Sequence, residues 1–196
     1  MKQEIKLQIE APEGVEISSH ESIITVKSGN MENSKKFNFK NIEIKKSGNS
    51  LLLSSKKATK KELKMINTIN AHVNNMINGL KEPFTYILEI AYVHFPMTVE
   101  FNKEKNILLI KNFLGEKKPR TCKILKGVDI QIEKNKIILN SHDKELAGQT
   151  AANIEKATHI RNRDRRKFQD GIYIIEKPGR ELWDLKNFLE GILENI

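Results

Sequence analysis

Arginines at 161, 163, 165 and 166, Lys167 and one carboxylate, Asp164, fall within the first nine residues of HIRNRDRRKFQDGIYIIEK (159–177). A guanidinium is a planar fork that gives two parallel, charge-assisted hydrogen bonds to a phosphate. Arg161, Arg163, Arg165, Arg166 and Lys167 are therefore candidate phosphate ligands. A second basic stretch, KNFLGEKKPRTCK (111–123), holds Lys111, Lys117, Lys118, Arg120 and Lys123. Gly115 permits a tight turn there, so backbone can approach a phosphate closely. Asp164 has the wrong sign for that task. It is expected to pair with Arg161, Arg163 or Arg166, or to cap local N–H groups, holding the arginines in a fixed fan.

Other chemistries find less support. His20, His72, His94, His142 and His159 include no pair at helical metal-ligand spacing. The carboxylates sit singly among lysines on alternating segments, where they are expected to face water. No Gly-rich loop ends in Lys-Ser or Lys-Thr, and no G-x-S-x-G elbow occurs. Cys122, within a predicted strand, reads as a small buried hydrophobe. No catalytic residue, metal ligand, cofactor or small-molecule substrate is assigned. Aromatic residues make up 6% of the chain, and the basic stretches hold only Phe113, Phe168 and Tyr173. That is a poor stacking platform for single strands. Folded RNA, met by shape and phosphate contact, fits better.

The elements that must position these charges change period along the chain. EIKLQIE (4–10), SIITVK, KFNFKNIEIKK and SLLLSS alternate apolar and polar residues, which predicts short antiparallel strands. From Thr59 the period becomes helical, with Leu63, Ile66, Ile69, Val73, Met76, Ile77 and Leu80 on one stripe. Thr59 and Glu62 form a capping-box pattern, and Gly79 and Pro83 mark the end. The pattern then recurs. Pro12 matches Pro96, Ile17 matches Phe101 and Lys27 matches Lys111, each at an offset of 84. SLLLSS (50–55) matches KIILNS (136–141), and KEL (61–63) matches KEL (144–146). A second helix is predicted over about 143–158, with Leu146, Thr150, Ile154 and Ala157 on its stripe. The reading is an α+β chain of two duplicated modules, 1–82 and 83–178. Each is a small antiparallel sheet with one packed helix. Residues 179–196 form an amphipathic helical tail, with Leu182, Leu185, Leu189, Ile192 and Ile196 on one side and Trp183 off it. The tail packs on its own protein or docks on a partner.

Of 196 residues, 34 are Lys or Arg and 25 are Asp or Glu, a net charge of +9. That balance favours a polyanionic partner, nucleic acid before an anionic membrane. A lone cysteine excludes an intramolecular disulfide and suits a reducing, intracellular compartment. No apolar run is long enough to span a membrane, and MKQEIKLQIEAPEG lacks a signal core.

Several motifs are similar to those of the large-subunit ribosomal protein six family, called nine in the older eukaryotic scheme. They are IEAPEGV, YVHFPMTV, NFLGEKK after P-x-x-V-E-F, AGQTAANI and RNRDRRKFQDGIYIIEK. The last has the archaeal and eukaryotic form. The resemblance covers about 1–178. It implies two tandem modules and a structural role without catalysis, in which the second module holds large-subunit rRNA near the sarcin–ricin loop and stalk base. Neighbouring ribosomal proteins would be partners. The compartment would be the cytoplasm, with nucleolar assembly if the source is eukaryotic. Carried over by position, the implied RNA contacts are Lys111, Asn112, Gly115, Lys117, Lys118 and Arg120 in the loop. Gln149 and Asn153 follow on the second helix, then Arg161, Arg163, Arg165, Arg166 and Lys167. The family's first module carries a V-K-G-P-R-G loop; here the segment reads VKSGNMENSKK, without the proline and arginine. The alternative reading is a duplicated basic protein–protein adaptor outside the ribosome.

Overall fold

The computed structural model describes residues 3–20, 22–29, 31–164 and 166–182. The chain divides between Pro83 and Phe84 into two units, each with its own hydrophobic core.

In the first unit, β1 (Gln3–Glu10), β6 (Ser50–Ala58) and β5 (Glu43–Ser47) form one antiparallel sheet in that order. A second sheet orders β2 (Glu16–His20), β3 (Ile23–Ser28) and β4 (Met31–Lys36). Alternation explains which faces are buried. Ile24 and Val26 on β3, and Leu51 and Leu53 on β6, are fully enclosed, and their neighbours point outward. Helix α1 (Lys60–Lys81) closes the core with Ile66, Ile69, Val73, Met76, Ile77 and Leu80. The capping box is present: Glu62 Oε2 accepts from the Thr59 N–H at 2.8 Å, and Thr59 Oγ1 accepts from the Lys61 N–H at 3.3 Å. Glu82 leaves the helix in an extended conformation, as a residue before proline must.

Three expectations change here. KFNFKNIEIKK is not one strand: residues 37–42 leave the sheet, and Asn41 takes a left-handed φ of 61°. Phe37 and Ile42 are buried there outside any ladder. The polar segment MENSKK forms an unforeseen edge strand, β4. Leu63, counted on the helical stripe, stands exposed in the first turn of α1.

The second unit repeats the plan. β7 (Phe84–Ala91), β12 (Lys136–Ser141) and β11 (Asp129–Glu133) correspond to β1, β6 and β5, and β8 (Thr98–Asn102), β9 (Ile107–Lys111) and β10 (Arg120–Lys123) to β2, β3 and β4. Cys122 is buried on β10, and burial pushes its thiol pKa up. Helix α2 (Lys144–Ala157) starts at an Asp143 cap, whose carboxylate accepts from the Glu145 N–H at 2.8 Å. Its packed face joins three small residues, Ala147, Thr150 and Ala151, with the fully buried Ile154. Gly148 lies so close to Tyr86 that an added Cβ would meet the phenol oxygen at 2.9 Å.

One addition breaks the symmetry. β1 is an edge strand, but its counterpart β7 is paired on its free side by β13 (Gly171–Lys177), giving the order β11-β12-β7-β13-β14. The arginine-rich segment is the connection from α2 to that added strand. β14 is Arg180–Glu181, paired with Lys177 and Glu176 across a turn at Gly179 with φ 76°. Those two residues had been expected to start the helical tail. The rest of that expectation, from Trp183 onward, falls outside the described residues.

Candidate nucleic-acid interface

The two basic stretches meet at Arg120. Its guanidinium accepts nothing and donates four times: Nε and Nη2 to the two Glu116 carboxylate oxygens at 2.9 and 2.6 Å, and Nη1 to the carbonyls of Ala157 and His159 at 2.9 and 3.1 Å. It also lies over the buried Phe113 ring, 4.2 Å from the centroid. The Ala157 carbonyl is among those a helix end leaves without an internal partner, and His159 lies just past the Thr158 C-cap. Arg120 thus caps the end of α2 and fastens the 111–120 loop to the root of the arginine segment. The Arg120 side chain holds the Glu116 carboxyl below the usual carboxylate range, and the Arg163 charge lowers it further, against a partial opposing effect of burial. Arg163 therefore lies within electrostatic reach of the same loop. Arg120, expected to contact phosphate, already has its fork filled.

The loop has unusual backbone. Asn112, Leu114 and Gly115 have φ of 59°, 49° and 77°. A left-handed Leu is costly, and burial of Phe113 beside it helps to hold the turn. Asn112 spends its side-chain amide on the Pro96 carbonyl at 2.9 Å. Lys111 pairs with Glu100 at 2.7 Å. Both groups are about half exposed, so the pair is worth about 0–1 kcal/mol, and exchange for a phosphate is cheap. Lys117 and Lys118 are exposed and carry no ion pair among the described residues.

The arginine segment is pinned at both ends. On the α2 side, Thr158 and Ile160 are buried, and the Thr158 hydroxyl accepts the Ile172 N–H at 2.9 Å. On the strand side, Ile172 is fully buried, which stabilises by about 1.5–3 kcal/mol. Between these anchors Arg161, Arg163, Arg166 and Lys167 are exposed; Arg165 lies outside the described residues. Asp164 resolves one of the alternatives above. Its Oδ1 accepts the Arg166 N–H at 2.9 Å, and its carbonyl accepts the N–H groups of Lys167 and Phe168 at 3.2 and 3.0 Å. It caps the turn instead of pairing with Arg161, Arg163 or Arg166. Asp164→Ala is therefore expected to weaken RNA binding about two- to tenfold, because one local hydrogen bond is worth roughly 0.5–1.5 kcal/mol. Filter binding checks this; tighter binding, as expected from the added positive charge alone, would contradict it.

Gln149 and Asn153 stand one turn apart on α2 and bond each other, Nε2 to Oδ1 at 2.9 Å. Among the described residues no bond joins them to either basic stretch.

Two features went unseen in the sequence. Asp170 is a buried carboxylate, unlike the carboxylates among lysines that were expected to face water. Oδ1 accepts the backbone N–H groups of Val93 and His94, the latter at 3.1 Å, and Oδ2 meets His94 Nδ1 at 2.6 Å. Burial pushes its pKa up, but these donors outweigh burial and hold the carboxyl below the usual range. The second feature is aromatic. The loop that Asp170 pins carries Tyr92, His94 and Phe95, all exposed. The His94 ring lies 5.0 Å from that of Phe168, over which Arg163 sits at 4.9 Å. A Cβ at Gly115 would rest 3.5 Å from the Phe95 ring. Aromatic rings distant in sequence thus stand against both basic stretches. The pairing of a buried acid with a loop 76 residues away leaves no local signal.

Among the described residues no group of three or more His, Cys, Asp or Glu is arranged to hold a metal ion, and no helix is long and apolar enough to cross a membrane.

Comparison with known proteins adds an independent line. The family model for ribosomal protein L6 matches twice, over residues 11–82 and 95–171, once in each unit. The large ribosomal subunit protein uL6 of Methanobrevibacter smithii is 43% identical over 173 residues, covering 88% of this chain and 96% of its own. The protein of that name from Methanococcus vannielii is 43% identical over 178 residues, covering 91% and 97%. That of Methanothrix thermoacetophila is 40% identical over 177 residues, covering 90% and 99%.

Proposed function

Because the chain belongs to the ribosomal protein L6 family, present here as two copies of its domain, we propose that it is a structural, non-catalytic component of the large ribosomal subunit and that its second unit binds large-subunit rRNA. The observation that carries the reading is the junction at Arg120. It ties the loop that carries Lys117 and Lys118 to the root of the segment bearing Arg161, Arg163, Arg166 and Lys167, which supports the reading. The cations of the two stretches then act on one RNA surface, and those exposed without an ion pair meet phosphate without first breaking a bond within the protein. Arg120 contributes by holding the stretches together, while Lys111 and the backbone at Asn112 and Gly115 supply contacts at the loop rim. Gln149 and Asn153 extend the surface along α2. The resemblance of the motifs supports a place near the factor-binding region, by the sarcin–ricin loop and stalk base, in the cytoplasm. A nucleolar stage applies only to a eukaryotic chain, and these relatives are archaeal.

Sedimentation of a cell extract through high salt tests the reading. The full chain is expected in the large-subunit fraction. A chain found wholly in the soluble fraction would support the adaptor alternative.

A further inference from the structure

The loop Tyr92–Phe95 presents its apolar side chains outward: Tyr92 is 42% exposed, Val93 64% and Phe95 44%. Two exposed aromatics three residues apart call for an explanation, since most large apolar side chains among the described residues are wholly or partly enclosed. The loop is also held firmly. The buried Asp170 carboxylate takes two consecutive backbone N–H groups and the His94 ring, and the Pro96 carbonyl is held by Asn112. The Phe95 ring rests against Gly115, whose missing side chain leaves it uncrowded.

The charge around the tip chooses the occupant. Gly115 is followed within three residues by Lys117 and Lys118. His94 leads through Phe168 to the Arg163 guanidinium. Aromatic faces set among cations match a nucleotide, whose base offers a π-face and whose phosphate offers the negative charge. A regular RNA helix hides its base faces in the stack, whereas loops, bulges and ends expose them. A purely apolar protein ligand would leave the cations unmatched.

We propose that Phe95, with Tyr92, is a stacking site for an unpaired base of RNA, set between the two phosphate-binding stretches. The inference rests on the RNA-binding reading above and adds to it a preference for unpaired nucleotides.

The test uses the full chain and two RNAs of equal length, a plain duplex and a hairpin whose loop carries 2-aminopurine. Stacking on one aromatic side chain is worth about 5- to 150-fold in affinity. Phe95→Ala is expected to weaken hairpin binding by that factor, leave duplex binding within about twofold, and leave the salt slope unchanged. Phe95→Trp should retain hairpin affinity, and Phe95→Leu should not. The 2-aminopurine fluorescence should be quenched by the wild-type chain and not by Phe95→Ala. A thermal melt of each variant separates these effects from misfolding, and a tip variant that melts early is replaced by Tyr92→Ala. If Phe95→Ala and Tyr92→Ala bind both RNAs as the wild type does, with steep salt dependence intact, the stacking site is overturned and the tip is assigned to a protein contact. If the wild type binds neither RNA with salt dependence, the RNA-binding reading itself fails, and the stacking site with it.

Discussion

Arg161→Glu combined with Arg166→Glu is expected to weaken binding of the rRNA fragment by about a hundredfold at 0.1 M salt. The log–log salt slope should fall by about 1.4–1.8. Each phosphate contact contributes roughly 0.7–0.9 to that slope, so at 0.1 M salt each is worth about 5- to 8-fold over its value at 1 M. Losing two gives about 25- to 60-fold, and reversal of sign adds repulsion. This pair suits the purpose because both side chains are exposed and neither makes a described bond through its guanidinium; Arg166 takes part in the local turn only through its backbone. Arg163 would be a poorer choice, since it also packs over Phe168. The matched control is Lys103→Glu with Lys105→Glu, the same change in net charge at the opposite end of the β8–β9 hairpin. Five residues of strand separate the two ends, about 15 Å. Equal losses from the two pairs, measured by filter binding over a salt series, would mean that overall charge matters and this surface does not.

The duplication was legible because strands buried on one face and helices buried on one stripe must alternate with their own periods. Ile24 and Val26, or Ile69 and Val73, are enclosed for the reason their spacing suggests. Sequence reading failed where burial does not set the pattern. MENSKK lies at a sheet edge with no buried side chain, its Glu32 meeting Lys27 of β3 in an exposed ion pair at 3.0 Å, so no apolar alternation marks it as a strand. In KFNFKNIEIKK the alternation slips by one residue between Phe39 and Ile42, where Asn41 turns the chain out of the sheet. The charge clusters were equally legible, because charge density is a local property. Which charges remain available is not local. Glu116 four residues before Arg120 hints at a pair, but the carbonyls of Ala157 and His159 that complete the Arg120 fork lie 37 and 39 residues away. The aromatic count in the basic stretches omits, for the same reason, rings that lie elsewhere in the sequence. Phe95 reaches Gly115, and His94 reaches Phe168, only through the fold.

Asp170→Ala is expected to lower the melting temperature of the chain by about 8–16 °C. Hydrogen bonds to a charged group are worth about 1.5–3 kcal/mol each when buried. The carboxylate accepts three, but the Val93 and His94 donors lie in an exposed loop and regain water once it is gone. A net loss of about 2–4 kcal/mol follows, at about 4 °C per kcal/mol for a unit of this size. The acid limb adds a signed test. The folded-state pKa of Asp170 is held below its unfolded value, which lies near 3.9. Its contribution is therefore fully present above about pH 4 and is lost as pH falls through the lower folded value, where the unfolded chain binds more protons. Asp170→Asn still offers one oxygen to the backbone donors but does not ionise. Its melting temperature should fall less steeply than that of the wild type as the pH drops below about 4. Parallel acid limbs would show that the carboxylate charge is not what the loop donors hold. The effect should carry to the RNA surface, because Asp170 is what fixes the backbone beneath His94 and Phe95. Asp170→Ala should then also lose the discrimination between looped and duplex RNA while keeping its salt slope, since the cations of the two basic stretches are anchored separately, by Arg120, Thr158 and Ile172.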